Sequence, residues 1–346
     1  MSDEKEQAGL FETIDAEKVK ELYFNEELIQ PNYELFRLNT PKGRIYFRPL
    51  DENAKTFAYY GGTGNLTSEI PKDDNLIEWM AHKGVTEAKR YYYLRMLFGS
   101  LEHTLLAELC IMGEIDLDSL PARLRNYFFT QSFYCTEKEL SDLATEAQKD
   151  VIGMMQWMID HKAKLAFVEL PVYSDGEGLA TQIDIGAFIE IEVGSGKNYK
   201  IEQCFALINY KSGKGGFFKE HRFQLEVERR IFIDCYPEFT EQDIRIFNLS
   251  GTNWRSTEWN RKTRPYKFSE QTDKADIDRY NHYLELGKIT RDERLAKPLN
   301  LIQGKVGVGI TPASCVVSKT LKEVVEEGIW KRFVKTSAAI PDSLLV

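Results

Sequence analysis

Cysteine is scarce in this chain and never paired. Cys110, Cys135, Cys204, Cys235 and Cys315 are scattered over 346 residues, with no C-x-x-C among them. That spacing excludes a zinc ribbon and a disulfide framework, and a reducing cytoplasm is the simple expectation. Long apolar runs are also missing. Nothing approaches the ~20 apolar residues a membrane helix needs, and the acidic N-terminus has no basic region leading into an apolar one, so no secretory signal is expected. Positive charge is in deficit: the formal net charge is −9 and the pI about 5.3. A protein coated in basic surface for nucleic acid is excluded, while a locally basic channel is not. The glycines of YYGGTGNLTSEIP (59–71) lack the lysine and hydroxyl of a phosphate loop, so this segment reads as an ordinary loop. No internal repeat or low-complexity tract is present.

What is present is enough apolar sequence, 42%, for a large single core. The expected division is an N-terminal lead-in and hairpin at 1–58, a core at 59–270 and a helical extension at 271–346 packed on that core. The lead-in is acidic with a short helix at 16–23. Tyr33 to Phe47 reads as a hairpin around Pro-Lys-Gly. Trp79 heads a helix as a packing anchor. From Thr86 to Met112 a long helix is predicted, with Tyr91, Leu94, Phe98, Leu101, Leu105, Leu109 and Met112 at three- and four-residue steps. Its other side carries Met96, Gly99, His103, Leu106 and Cys110, so the helix is expected to be central. Helical, amphipathic sequence continues to Lys164, with a core stripe of Val151, Met154, Met155, Met158 and Ile159. LAFVELPVYS then reads as a strand with Glu169 near its centre, either in a site or on a solvated edge. The fold class is α/β (α+β), a central mixed β-sheet flanked by helices.

The most informative stretch is Gln182 to Gln224. Two strand-like runs flank a turn containing Gly194 and Gly196. On the first, Ile183, Ile185, Ile189 and Ile191 alternate with Asp184, which places Asp184 away from the isoleucine face. On the second, Phe205, Leu207, Asn209 and Lys211 share one face, and Ala206, Ile208 and Tyr210 the other. A helix begins near Lys219 and ends near Tyr236, with Gln224 on the side of Val227, Ile231 and Cys235. RIFNLS is a further strand, Ala275 to Leu286 a charged helix, and the tail holds KVGVGI and a last helix through Trp330. His82, His161 and His282 lie in polar helical contexts and earn no role; His221 sits at a helix start.

Asp184 on one strand, Asn209-Tyr210-Lys211 on the next and Gln224 on the following helix resemble the PD-(D/E)XK nuclease superfamily, in its RecB-like and phage recombination exonuclease (lambda exonuclease-like) subgroup. The segment GSLEHTLLAE resembles that subgroup's helix motif, a glycine followed four residues later by a histidine, here Gly99 and His103. The resemblance covers roughly residues 60 to 270. It implies a restriction-endonuclease-like core and a metal-dependent DNA nuclease, an exonuclease of phage or bacterial recombination or repair acting in the bacterial host's cytoplasm. DNA is the implied partner, with a single-strand annealing or other recombination protein beside it. The implied metal is Mg²⁺ or Mn²⁺, held by His103, Asp184, Asn209 and the Tyr210 carbonyl. Lys211 is implied to orient the attacking water, Gln224 to position substrate, and Glu169 to be a secondary site residue. No iron–sulfur cluster is expected.

The chain departs from the family pattern twice. Asn209 stands where an acidic residue is usual, and Glu228 where an aromatic follows the helix glutamine. Asn209 removes one formal charge from the site, which weakens cation binding. Three explanations stand side by side: compensation through Glu169 or Glu190, a catalytically silent module that binds DNA or a protein, or an introduced Asp→Asn change. Finally, Trp254, Arg255, Trp259, Arg261, Lys262, Arg264, Tyr266 and Lys267 interleave cations with aromatics. Such an island can stack on bases and neutralise phosphates, or can pack its rings on the core with the arginines outward.

Overall fold

The computed structural model describes residues 28–29, 31, 33, 35–40, 43–50, 57–63, 74–194, 199–212, 217, 219–252, 264–272 and 281–287. The expected helix at 16–23, the KVGVGI strand and the last helix lie outside them.

The helical segments fold as α1 (Asp74–Lys83), α2 (Val85–Met112), α3 (Leu120–Thr130), α4 (Glu137–Asp160) and α5 (Lys219–Cys235). The alternating segments form β1 (Phe36–Thr40), β2 (Gly43–Pro49), β3 (Phe57–Gly62), β4 (Lys164–Ser174), β5 (Leu179–Val193), β6 (Lys200–Tyr210), β7 (Ile244–Ser250) and β8 (Lys267–Glu270). These eight strands make one mixed sheet in the order β1-β2-β3-β5-β6-β7-β8, with β4 paired to β5. The parallel pair β6–β7 is joined through α5, the crossover such pairing requires.

β5 holds the sheet together. Its residues 179–180 pair with both β3 and β4, and 185–188 pair with both β4 and β6. A strand has two edges, so β3 and β6 share the edge opposite β4, one after the other. Asp184 falls in the interval between them.

Helices cover both faces. α2 and α4 pack on one, where Leu106, Leu109, Met154, Trp157 and Met158 meet Ile185, Ile189, Ala206, Ile208 and Tyr210. α5 covers the other through Phe223, Val227, Ile231 and Phe232 against Phe167, Leu170, Ile183, Phe205 and Leu207. Burial of these side chains at roughly 25 cal/mol per Å² of apolar surface is the main stabilising term. α2, α3 and α4 share a further cluster around Phe98, Leu101 and Phe128. At Gly153 a Cβ would come within 1.7 Å of the Gly251 carbonyl oxygen, so α4 touches the end of β7 backbone to backbone.

Several expectations need correction. Residues 59–62 are not loop but the end of β3, where Gly61 and Gly62 pair in parallel with Leu179 and Ala180. Glycine's low strand propensity concealed a strand that partner backbone supports. The boundary expected after residue 58 therefore falls inside a strand. The isoleucines of β5 do not share a face: Ile183 lies under α5, while Ile185, Ile189 and Ile191 lie under α2 and α4. The α2 stripe is buried from Leu94 to Leu109 but exposed at Tyr91 and Met112, and Met96 opposite is exposed too. His161 is not in a polar context. It is buried at the end of α4, its Nδ1 2.8 Å from the Glu190 carbonyl oxygen.

α4 begins on a capping box: the Glu139 N–H donates to Thr136 Oγ1, and the Thr136 N–H donates to Glu139 Oε2. Glu139 also accepts two hydrogen bonds from Arg90, at 2.8 and 2.9 Å. The Arg90 guanidinium holds the Glu139 carboxyl down at about 2, from an ordinary 4.5. A depressed pKa stabilises the fold fully above the ordinary value and is lost as pH falls through the folded one. Glu139→Gln is therefore expected to cost ~1 kcal/mol at pH 7. In thermal melts the gap from wild type should narrow below pH 4.5 and close near pH 2.

Candidate metal centre

The centre is built from a break in two strands. Glu169, in the middle of β4, has φ +51°, the left-handed region that costs a non-glycine residue ~1–2 kcal/mol. Val168 pairs with Ile185 and Leu170 with Ile183, so Glu169 lies across from Asp184. A register shift between Leu165 and Phe167 precedes it. At this point both strands exchange faces: Val168 and Ile185 pack under α2 and α4, Leu170 and Ile183 under α5. The break brings both carboxylates to one place.

α2 supplies the third group. Gly99 passes the end of β6 closely enough that a Cβ there would sit 2.8 Å from Ser212 Oγ. One turn on, His103 Nδ1 lies 3.3 Å from Glu169 Oε1 and 3.4 Å from Asp184 Oδ1. One ligand atom from each of His103, Glu169 and Asp184 lies within 4.8 Å of the other two. Their side chains remain 32%, 20% and 15% exposed, so the cluster is open to solvent.

The electrostatics follow from proximity. Burial opposes charge on His103, but Asp184 and Glu169 overcome it and raise the imidazole to about 10. Burial also works against the Asp184 carboxylate, yet His103, Lys211 and a 2.7 Å hydrogen bond from the Tyr210 N–H hold it below its ordinary range. Glu169 is raised, chiefly by burial and also by Asp184 beside it. Two acidic ligands and an imidazole form an oxygen-rich set with one nitrogen. Such a donor set suits Mg²⁺ and tilts toward Mn²⁺.

Lys211 follows β6 directly, and its Nζ donates to Gln224 Oε1 at 3.3 Å. Gln224 Nε2 donates to Glu228 Oε1 at 2.7 Å, and Thr181 Oγ1 donates to the same oxygen at 3.3 Å. Burial, with Asp184 nearby, pushes Glu228 up to about 8. His221 is lowered to about 3, by burial first and then by Lys211. The facing expected for β6 is observed, with Phe205 and Leu207 toward α5 and Ala206, Ile208 and Tyr210 toward α2 and α4.

His103, Asp184 and Glu169 therefore converge, and Lys211 and Gln224 meet beside them. Tyr210 contributes its N–H to Asp184. Asn209 is buried opposite Asn248 of β7, and its Nδ2 has no hydrogen-bond partner among the described residues. Glu190 is remote and paired with Lys162 at 2.8 Å, so it does not compensate for Asn209.

The basic island divides. Trp254, Arg255, Trp259, Arg261 and Lys262 lie outside the described residues. Arg264 is held by Asp160 at 3.8 Å and Glu192 at 3.7 Å. Glu192 is ~26 Å along β5 from Asp184 at 3.3 Å per residue, so Arg264 does not reach the centre. Lys267 pairs with Ser250 at the end of β7 and lies 4.4 Å over the Phe217 ring.

Residues not anticipated also take part. Arg37 Nη1 donates to Gln182 Oε1 at 3.0 Å, and Gln182 Nε2 donates to the Glu169 carbonyl at 3.1 Å, supporting the strained residue from β1. Gln182 could have been suspected from its place two residues before Asp184. Arg37 carried no local signal. A second acidic group, Glu102, Glu146 and Asp150, is fully buried between the helices and the sheet. There Arg95 pairs with Glu146 at 2.6 Å and Thr252 donates to Asp150. Burial and the adjacent Asp150 push Glu102 well above its ordinary range, which favours its neutral form.

If Glu169 is strained to bring its carboxylate to His103, removing the side chain should expose the strain. In metal-free buffer Glu169→Gly is expected to exceed Glu169→Ala in stability by ~1 kcal/mol, reversing the usual order. Both should bind Mn²⁺ more weakly than wild type. Denaturant melts and a metal titration check this, and equal or inverted stabilities would contradict it.

No family model matches the chain, and no curated protein matches it.

Proposed function

We propose that this chain is a metal-dependent nuclease that hydrolyses phosphodiester bonds in DNA, an exonuclease of the recombination or repair type. The carrying observation is the convergence of His103, Glu169 and Asp184 beside the Lys211–Gln224 pair. The ordered motif of helix histidine, strand aspartate, Asn-x-Lys and helix glutamine supports the same reading. Among the described residues no helix is long and apolar enough to cross a membrane. A bacterial cytoplasm, where a recombination protein would be its partner, is the setting that suits this activity.

Hydrolysis needs a nucleophilic water, compensation for charge on the phosphoryl oxygens and stabilisation of the leaving oxygen. When bound by His103, Glu169 and Asp184, a Mg²⁺ or Mn²⁺ ion supplies Lewis-acid polarisation and lowers the pKa of water. The protein groups do the rest. Asp184, fixed by the Tyr210 N–H, keeps its negative charge. His103 must lose its proton to ligate, so cation and proton compete for the imidazole. The Lys211 ammonium, held by Gln224, can orient the attacking water or stabilise charge that builds on the phosphate. Glu169 restores the carboxylate that Asn209 withholds from the ligand set.

The test is degradation of linear duplex DNA with Mn²⁺ and with Mg²⁺. Wild type is expected to digest it with Mn²⁺ favoured, Asp184→Ala to abolish digestion, and Asn209→Asp to raise the Mg²⁺-supported rate. Salt-sensitive DNA binding without cleavage, unrestored by Asn209→Asp, would instead mark a silent DNA-binding module.

A further inference from the structure

Glu228 is the least expected residue near the centre. It is 1% exposed on the sheet-facing side of α5. A buried carboxyl costs stability relative to an apolar side chain of similar size, so its partners must account for it. Those partners form a continuous chain. Thr63 and Thr181 hydroxyls lie 3.0 Å apart, Thr181 donates to Glu228 Oε1, Gln224 Nε2 donates to that oxygen, and Gln224 Oε1 accepts from Lys211 Nζ.

A glutamine amide is nearly symmetric in shape but not in chemistry: one end donates and the other accepts. Packing alone does not choose between the two orientations. Here the reversed amide would place NH₂ against the Lys211 ammonium, and a carbonyl against Glu228 Oε1, which accepts from Thr181 and so leaves any carboxyl proton to the other oxygen. Thr181 strengthens the choice by donating to the same Glu228 oxygen.

We propose that Glu228 is a positioning residue that fixes the orientation of the Gln224 amide and so gives Lys211 an accepting oxygen that holds its ammonium beside Asp184. Its catalytic consequence rests on the nuclease reading; the placement of Lys211 does not. Glu228 touches no reacting atom and acts through Gln224.

The test is a cycle of full-length variants: Glu228→Met, Glu228→Gln, Gln224→Met and the double Gln224→Met/Glu228→Met. In the metal-free protein, the Lys211 side-chain NMR resonance should move in Glu228→Met as it does in Gln224→Met. The double variant should match Gln224→Met alone. Glu228→Gln, which keeps an accepting oxygen, should leave the resonance near its wild-type position. In DNA cleavage, Glu228→Met should lower kcat by about 10- to 100-fold, the usual range for a supporting residue, with KM changed less than about 3-fold. Glu228→Gln should restore most of that loss.

An unmoved Lys211 resonance in folded Glu228→Met would overturn the proposal, as would a further shift when Glu228→Met is added to Gln224→Met. If Glu228→Met does not fold, Glu228→Leu takes its place in the same cycle. Absence of cleavage in every protein, wild type included, would overturn the nuclease reading and leave the resonance test standing.

Discussion

One residue in an unfavourable backbone conformation governs the geometry of the centre. Glu169 occupies the left-handed region inside a strand whose neighbours on either side pair normally with β5. A regular β4 would keep one facing along its whole length, and so would β5. The break puts Val168 and Ile185 on the α2 side and Leu170 and Ile183, two residues away on each strand, on the α5 side, with the carboxylates of Glu169 and Asp184 at the crossing. The conformational cost falls on a residue surrounded by packed neighbours and braced through Gln182 and Arg37. Backbone strain of this kind persists only where the surroundings over-determine it.

Around that crossing, polar groups are arranged in two styles. The solvent-open group, His103 with Glu169 and Asp184, balances two carboxylates with an imidazolium. The closed group, Glu102 with Glu146 and Asp150, is met by Arg95 and Thr252, and burial raises Glu102 and Asp150 above their ordinary ranges. Both lie against β6 and use adjacent residues of α2. Tyr210 stands between them: its backbone N–H serves Asp184, while its hydroxyl is buried on the side of Glu102 and Asp150. The difference in access explains why only the first group is suited to bind and release a hydrated cation.

Much of this was legible in residue order, because the informative features are local. Alternation assigned the two faces of β6, and helical spacing assigned Gln224 and the buried stripe of α2. Asp184 and His103 could be picked out by type and by position on their elements. What escaped depends on chain segments distant in sequence. The left-handed Glu169 is set by its partner strand, so alternation alone put all the isoleucines on one face. β3 was hidden because Gly61 and Gly62 are poor strand formers that a neighbouring backbone supports. Arg264 fitted a basic island by composition, but Asp160 and Glu192, far off in the chain, already engage it. Glu228 registered as a departure at its helix position, yet its role needed Thr181 and Thr63 in view.

The placement of Asp184 beside β6 has a consequence for how the protein is made. β5 is synthesised before β6, and Asp184 lies in the interval where one edge of β5 has neither β3 nor β6 alongside. Until β6 emerges from the ribosome, Asp184 has no Tyr210 amide to receive and β5 offers an open edge to other chains. β6 in turn leaves its other edge open until β7 follows, and that parallel pairing must span all of α5, a slow step for a growing polypeptide. Helper proteins that shield nascent strands would therefore matter most in the interval between β5 and β7.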